Sequence, residues 1–246
     1  MTEALSSLMN FRDLGGAPVP GGTVAPCRLY RTGHLSQLSE EAAAHLAHTL
    51  GIRVYIDFRV DHDIVRDGEP KALLRREVVW ARHPFDISDA EFQSVRIPFS
   101  SDWQQLYFRA VKRLQPEISG VVRAIAAQAT PVMFGCWVGK DRTGIVAAFL
   151  LSLLGVDDAW IGQEFAKTNQ LIQPFKTRFS FLWQAEPHAE EQLWRAHSST
   201  EPQTIVGFLQ LVREHFGSVQ RALGLSDDVV VRLRERYLLR DAPTIE

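Results

Sequence analysis

The chain predicts an α/β fold, a central sheet with helices on its faces, and three observations carry that expectation. Short apolar runs of strand length alternate with longer helical patterns along its 246 residues. Val132-Met-Phe134 leads through a six-residue turn into Gly144–Leu154, apolar nearly all round, as a buried strand, a loop and a buried helix would. No internal repeat signals a solenoid or propeller. With 46% hydrophobic residues and no long polar tract, the length suits one substantial core, and residues 1–246 read as a single domain.

The elements follow in order. Residues 1–35 read as turns and short strands, punctuated by Gly-Gly at 15–16 and 21–22. Ser39 to Leu50 reads as a helix, with Ser39 as N-cap and Gly51 as stop. A strand over 52–58 follows, then a charged and partly helical stretch over 61–76, then a strand opening at 77–80. Residues 84–100 are the least regular. Two helices span 101–114, which holds Trp103, Tyr107 and Phe108, and 117–128. After the strand–loop–helix unit comes a helix over 157–169. Residues 170–200 stand apart, with Phe175, Phe179, Phe181, Trp183 and Trp194 among polar residues and two prolines. Core packing of the last helices accounts for most of these aromatics; the sharper reading is a helical cap over the loop.

Composition excludes several classes. A net charge of −2 argues against bulk nucleic-acid binding. Two distant cysteines, Cys27 and Cys136, exclude a disulfide framework or a Cys-rich zinc site. The first residues lack the pattern of a signal peptide, and the apolar helix after the loop is too short and Ser-interrupted to span a membrane. The expectation is a cytoplasmic, reduced protein that needs no metal or cofactor.

The chemistry sits in Cys136-Trp-Val-Gly-Lys-Asp-Arg-Thr-Gly144. A loop between a strand and a helix N-terminus collects backbone N–H groups in one concavity, which is a cradle for an anion. Its expected phosphate ligands are Trp137, Val138, Gly139, Lys140, Asp141, Arg142 and Thr143. Gly139 lets the loop bend, and Arg142 offers a fork for two phosphate oxygens. Beneath it Cys136, acidified by the helix end and by Arg142, is the nucleophile. Thr143 can offer its hydroxyl to the sulfur. Lys140 is expected to add positive charge at the rim, and Trp137 to present its indole to the substrate. A Walker A loop does not fit, because only three residues separate Gly135 from Gly139 and Asp141 follows the lysine. Cys27 reads as a core thiol, Arg12 and Asp13 as an ion pair, and His34 and His83 as structural or solvated.

Cys-x5-Arg resembles the signature of protein tyrosine phosphatases. The fuller loop resembles their bacterial Gly-Lys-Asp-Arg-Thr-Gly branch, the tyrosine/serine and phosphoinositide phosphatases of mycobacterial and Listeria type. Asn10-Phe-Arg-Asp-Leu-Gly-Gly16, Arg28-Leu-Tyr-Arg-Thr-Gly-His-Leu35, Leu50-Gly-Ile-Arg-Val-Tyr-Ile-Asp-Phe-Arg59 and Leu223-Gly-Leu-Ser-Asp-Asp-Val229 are similar to its other motifs, so the likeness runs from about residue 10 to the end. The resemblance implies a cysteine-phosphatase-like sheet and hydrolysis through a cysteinyl-phosphate. The chain departs from the family at Gly135, where the family carries histidine before the cysteine.

A leaving oxygen needs a proton. Candidates are Asp141, which the family branch suggests, and Asp57, at the carboxyl edge of the strand Val54-Tyr-Ile-Asp-Phe. Asp57 reads equally as a partner of Lys140 or Arg59. The expected substrate is phosphotyrosine protein or a small sugar or nucleoside phosphate of bacterial metabolism. A non-catalytic phosphate-binding pseudophosphatase is the alternative that Gly135 motivates, and an arsenate or sulfur-transfer enzyme lacks the second nearby cysteine.

Overall fold

Val132–Gly135, the strand that ends at the thiol, is buried at every position and sits in the middle of the sheet. The computed structural model describes residues 5, 7–95, 99–182, 184 and 187–241. Over these the elements alternate as expected. The first are β1 (Arg12–Asp13), β2 (Pro18–Val19), β3 (Gly22–Val24), β4 (Leu29–Thr32), α1 (Glu40–Ala44), β5 (Val54–Asp57), α2 (Asp61–Asp67), α3 (Lys71–Leu74) and β6 (Val79–Arg82). Then come α4 (Ala90–Gln93), α5 (Ser100–Arg113), α6 (Gln115–Ala127), β7 (Val132–Gly135), α7 (Asp141–Leu154), α8 (Asp158–Ala166), α9 (Thr168–Ile172) and α10 (Glu190–Ser198). The last are α11 (Pro202–Phe216), α12 (Val219–Ala222), α13 (Asp227–Tyr237) and β8 (Leu238–Arg240).

Ser39 caps α1 through its hydroxyl, which accepts from Ala42 N at 3.1 Å. The helix then widens into a π-helical turn, His45–Thr49. The main sheet has the order β1-β4-β7-β5-β6. β1 is antiparallel to β4, and every other pairing is parallel. Parallel neighbours on both sides explain why the Val-Met-Phe-Gly run is apolar without alternation. β2, β3 and β8 form a small antiparallel sheet that ties the start of the chain to α13.

Successive side chains divide the core in two. Val54, Ile56, Val132 and Phe134 face the larger cluster, with α5, α6, α7, α11 and α13. Tyr55 and Met133 face the other side, with Leu46, Ile52 and Leu73. The sheet is therefore covered by helices on both faces. Among the described residues no helix is long and apolar enough to cross a membrane.

The segment over 170–200 has its own apolar centre. Ile172, Phe175, Phe179, Leu193 and Trp194 pack together with Met9, and Trp137 and Val138 of the loop lie against them. Phe175, Phe179 and Trp194 are thus packed aromatics, and the packed unit rests directly on the loop. Trp183 lies outside the described residues.

Candidate active site

The loop is shaped from behind by donors to its carbonyls. Trp137 O accepts from His34 N at 2.9 Å. Asn10 Nδ2 donates to Val138 O at 3.3 Å and to Gly139 O at 2.8 Å. Arg31 Nη2 donates to Gly139 O at 2.7 Å. A trans peptide sets N–H opposite C=O, so carbonyls held outward leave the following N–H groups to the concave side. Gly139 makes the bend at φ 74°, and a Cβ there would lie 2.5 Å from Thr32 O.

A buried ion network holds these donors. Arg31 Nη1 lies 2.7 Å from Glu164 Oε2, and Arg12 Nε lies 2.5 Å from Oε1. Burial pushes the Glu164 carboxyl up, but the two guanidinium groups outweigh it and hold the group below the usual carboxylate range. Burial and the neighbouring Arg31 lower Arg12 to about 10, against the opposing pull of Glu164. Arg12 therefore pairs with Glu164 and not with Asp13, whose carboxylate accepts from Gly15 N and Cys27 N.

Cys136 is 3% exposed and floors a cavity of about 190 Å³. Arg142 lines the same cavity, and its Nη1 donates to Asp63 Oδ2 at 3.0 Å and to Phe58 O at 3.2 Å. Burial disfavours the Arg142 charge, but Cys136 and Asp63 outweigh that and raise its pKa. Asp63 is pushed up by burial and pulled further down by Arg142 and Arg66. The Thr143 hydroxyl is buried with no hydrogen-bond partner, as a group reserved for the sulfur or a phosphate would be.

Asp141 lines the cavity, and Tyr107 Oη donates to its Oδ1 at 2.5 Å. Asp57 does not line it: fully buried, its carboxylate takes both Arg59 Nε and Nη2, the latter at 2.8 Å, and Trp80 Nε1 at 3.0 Å. The Arg59 partnership is thus the one the geometry shows. Lys140 is not at the rim. Its buried Nζ donates to His197 O at 2.5 Å, stands 4.1 Å from the centre of the Trp103 ring, and lies 3.6 Å from Asp141 Oδ1. Trp137 reaches the cavity but spends its ring on Phe179, at 5.4 Å between centroids, and beneath the Arg66 guanidinium, at 4.4 Å. Cys27 is exposed and not core.

Three groups escaped sequence reasoning. Arg31 and Glu164 lie 133 positions apart and carry no local signal. Asp86 lines the cavity from the segment after β6, opposite the loop; its place in Pro84-Phe-Asp-Ile-Ser88, beside a strand's carboxyl end, is the one signal that could have found it.

At Gly135, an added Cβ would lie 2.5 Å from Thr32 O and 3.2 Å from Gly33 O. The strand pair β4–β7 is closed over the position where the resemblance leads one to expect histidine.

The family model described as "Tyrosine phosphatase family" matches residues 3–239. A tyrosine-protein phosphatase of Nostoc commune is 30% identical over 162 residues, covering 64% of this chain and 54% of that protein. The triple specificity protein phosphatase PtpB of Mycobacterium tuberculosis is 25% identical over 209 residues, covering 73% of this chain and 74% of the relative. Among solved structures, the core catalytic domain of the PP-IP phosphatase SIW14 from S. cerevisiae, in complex with citrate, aligns with a TM-score of 0.37 and 16% identity, over 65% of this chain and 75% of that one. The chain spans about half the length of the Nostoc relative. With the match running nearly end to end, the chain belongs to the tyrosine phosphatase family.

Proposed function

We propose that the protein hydrolyses phosphomonoesters through a cysteinyl-phosphate. The observation that carries this is the loop whose Trp137, Val138 and Gly139 carbonyls are tied outward beside a buried thiol, with Arg142 held at the same cavity by Asp63. Phosphate enters the N–H cradle, Arg142 holds two of its oxygens, and Cys136 Sγ attacks phosphorus in line with the ester oxygen. The leaving oxygen takes a proton from a carboxyl group of the cavity; of Asp57 and Asp141 only Asp141 lines it. Water then cleaves the phosphocysteine. The relatives' names and the family match support phosphatase activity.

The substrate is phosphotyrosine protein or a small sugar or nucleoside phosphate. With Lys140 turned into the protein, the second rim cation that would favour a polyanionic substrate is not supplied by that residue. Phosphate release from a phosphotyrosine peptide, phosphoinositides and a panel of sugar and nucleoside phosphates, with Cys136→Ser as control, tests the reading. Release abolished by the substitution supports it. No release from any, alongside vanadate binding, identifies a non-catalytic phosphate binder. A preference of orders of magnitude for one small phosphate settles the substrate class.

A further inference from the structure

Two carboxylates share the cavity over Cys136, and they are held in opposite ways. Asp141, the first residue of α7, is fixed. Tyr107 Oη donates to its Oδ1 at 2.5 Å, and Lys140 Nζ stands 3.6 Å from the same oxygen. Both partners are buried, Tyr107 completely. The Tyr107 hydrogen bond and the nearby ammonium both anchor Oδ1, which leaves Oδ2 free to accept from a water. Asp86 sits on the outer wall and is exposed. Its backbone is pinned: Arg113 Nη2 donates to Asp86 O at 2.9 Å and to Ser88 O at 3.1 Å, and Phe85 and Ile87 on either side are buried. Its side chain accepts at Oδ1 from Ser88 N at 2.9 Å. The Asp86 charge also reaches Arg142, the phosphate clamp.

Resting on the phosphocysteine reading above, we propose that the two half-reactions use different carboxyl groups: Asp86 protonates the leaving oxygen, and Asp141 activates the water. In the first step the Sγ–P bond forms, the P–O ester bond breaks with its electron pair, and the Asp86 proton passes to that oxygen. In the second, water occupies the vacated apical position opposite Sγ. Its oxygen bonds to phosphorus, its proton goes to Asp141, and the S–P pair returns to Cys136 as thiolate. Asp86 regains its proton from solvent and Asp141 releases one, so the cycle consumes one water. The exposed group exchanges with solvent at the exit of the leaving alcohol. The clamped group has the fixed aim that holding a single water requires. Tyr107 is then a positioning residue that acts through Asp141.

Rapid-mixing kinetics on phenyl phosphate and p-nitrophenyl phosphate, with acid quench and mass spectrometry of Cys136, separate the two roles. Asp86→Asn should slow the burst on phenyl phosphate by roughly 10²-fold or more, and much less on p-nitrophenyl phosphate, whose leaving group needs little protonation. Asp141→Asn should keep the burst while turnover falls at least about tenfold and phosphorylated Cys136 accumulates. Tyr107→Phe should give a milder form of the second pattern. A leaving-group-dependent burst defect in Asp141→Asn, or an unchanged burst in Asp86→Asn, overturns the division. Turnover with no trapped phosphocysteine in any variant, or turnover that survives Cys136→Ser, instead overturns the underlying mechanism.

Discussion

Arg31 bridges the Cys136 loop and the helix layer: its Nη2 donates to the Gly139 carbonyl and its Nη1 to Glu164, each at 2.7 Å. The loop's curvature thus depends on a charge pair contributed by β4 and α8, neither of which touches the thiol cavity.

Replacing Glu164 by Gln keeps the shape and removes the charge between two buried guanidinium groups. The uncompensated Arg12 and Arg31 should cost about 3–5 kcal/mol of stability, read as a lower urea midpoint at unchanged slope. Phosphate release should fall along with it, because Gly139 O loses a firmly held donor.

Gly139→Ala places a Cβ 2.5 Å from Thr32 O at φ 74°. Backbone strain alone is about 1–3 kcal/mol, and relief requires the loop to open. The expected result is a folded protein with kcat/KM down by roughly tenfold or more and weakened vanadate binding, measured by calorimetry.

His34 predicts an acid-side loss of stability. Burial lowers its pKa to about 4, with Arg59, Arg178 and Arg66 adding to the effect and Asp67 opposing it. The unfolded chain takes up the proton near 6.5 and the folded chain only near 4, so stability falls as pH drops through that window. The loss should reach about 2 kcal/mol by pH 5. Denaturant midpoints at pH 7 and pH 5 should show it, and His34→Gln should flatten the slope. Glu164 and Asp63, whose folded pKa values are depressed, add their loss at lower pH, as it falls from the ordinary carboxylate value toward their folded ones.

Lys140→Met tests how the packed segment over the loop is fastened. The substitution removes the Nζ bond to His197 O and the contact with Trp103, but it also removes a buried ammonium, so global stability should change little. Amide exchange in α10 should accelerate by roughly tenfold while that of β7 stays unchanged.

The order of elements was legible because β7 and α7 are buried on all sides, and their apolar runs have no other reading. The thiol, the arginine and the bend at Gly139 were legible because one short loop carries all three. Lys140 was not, because its direction depends on α10, which arrives 57 residues later to accept its ammonium. Asp57 was half-legible. Its partner Arg59 is two residues away, but only the turn after β5 decides that the guanidinium folds back onto it. Asp86 escaped because its segment has neither period, and its meaning comes from the wall it completes.

The closed seam between Gly135 and Thr32 also bears on how this sequence can change. A Cβ at 135 meets the backbone oxygens of Thr32 and Gly33, so trimming the Thr32 side chain makes no room for one. A histidine there becomes reachable only after β4 has first drawn away from β7. A single substitution at 135 is therefore not enough: a side chain there requires a compensating change that moves the backbone of Thr32 and Gly33.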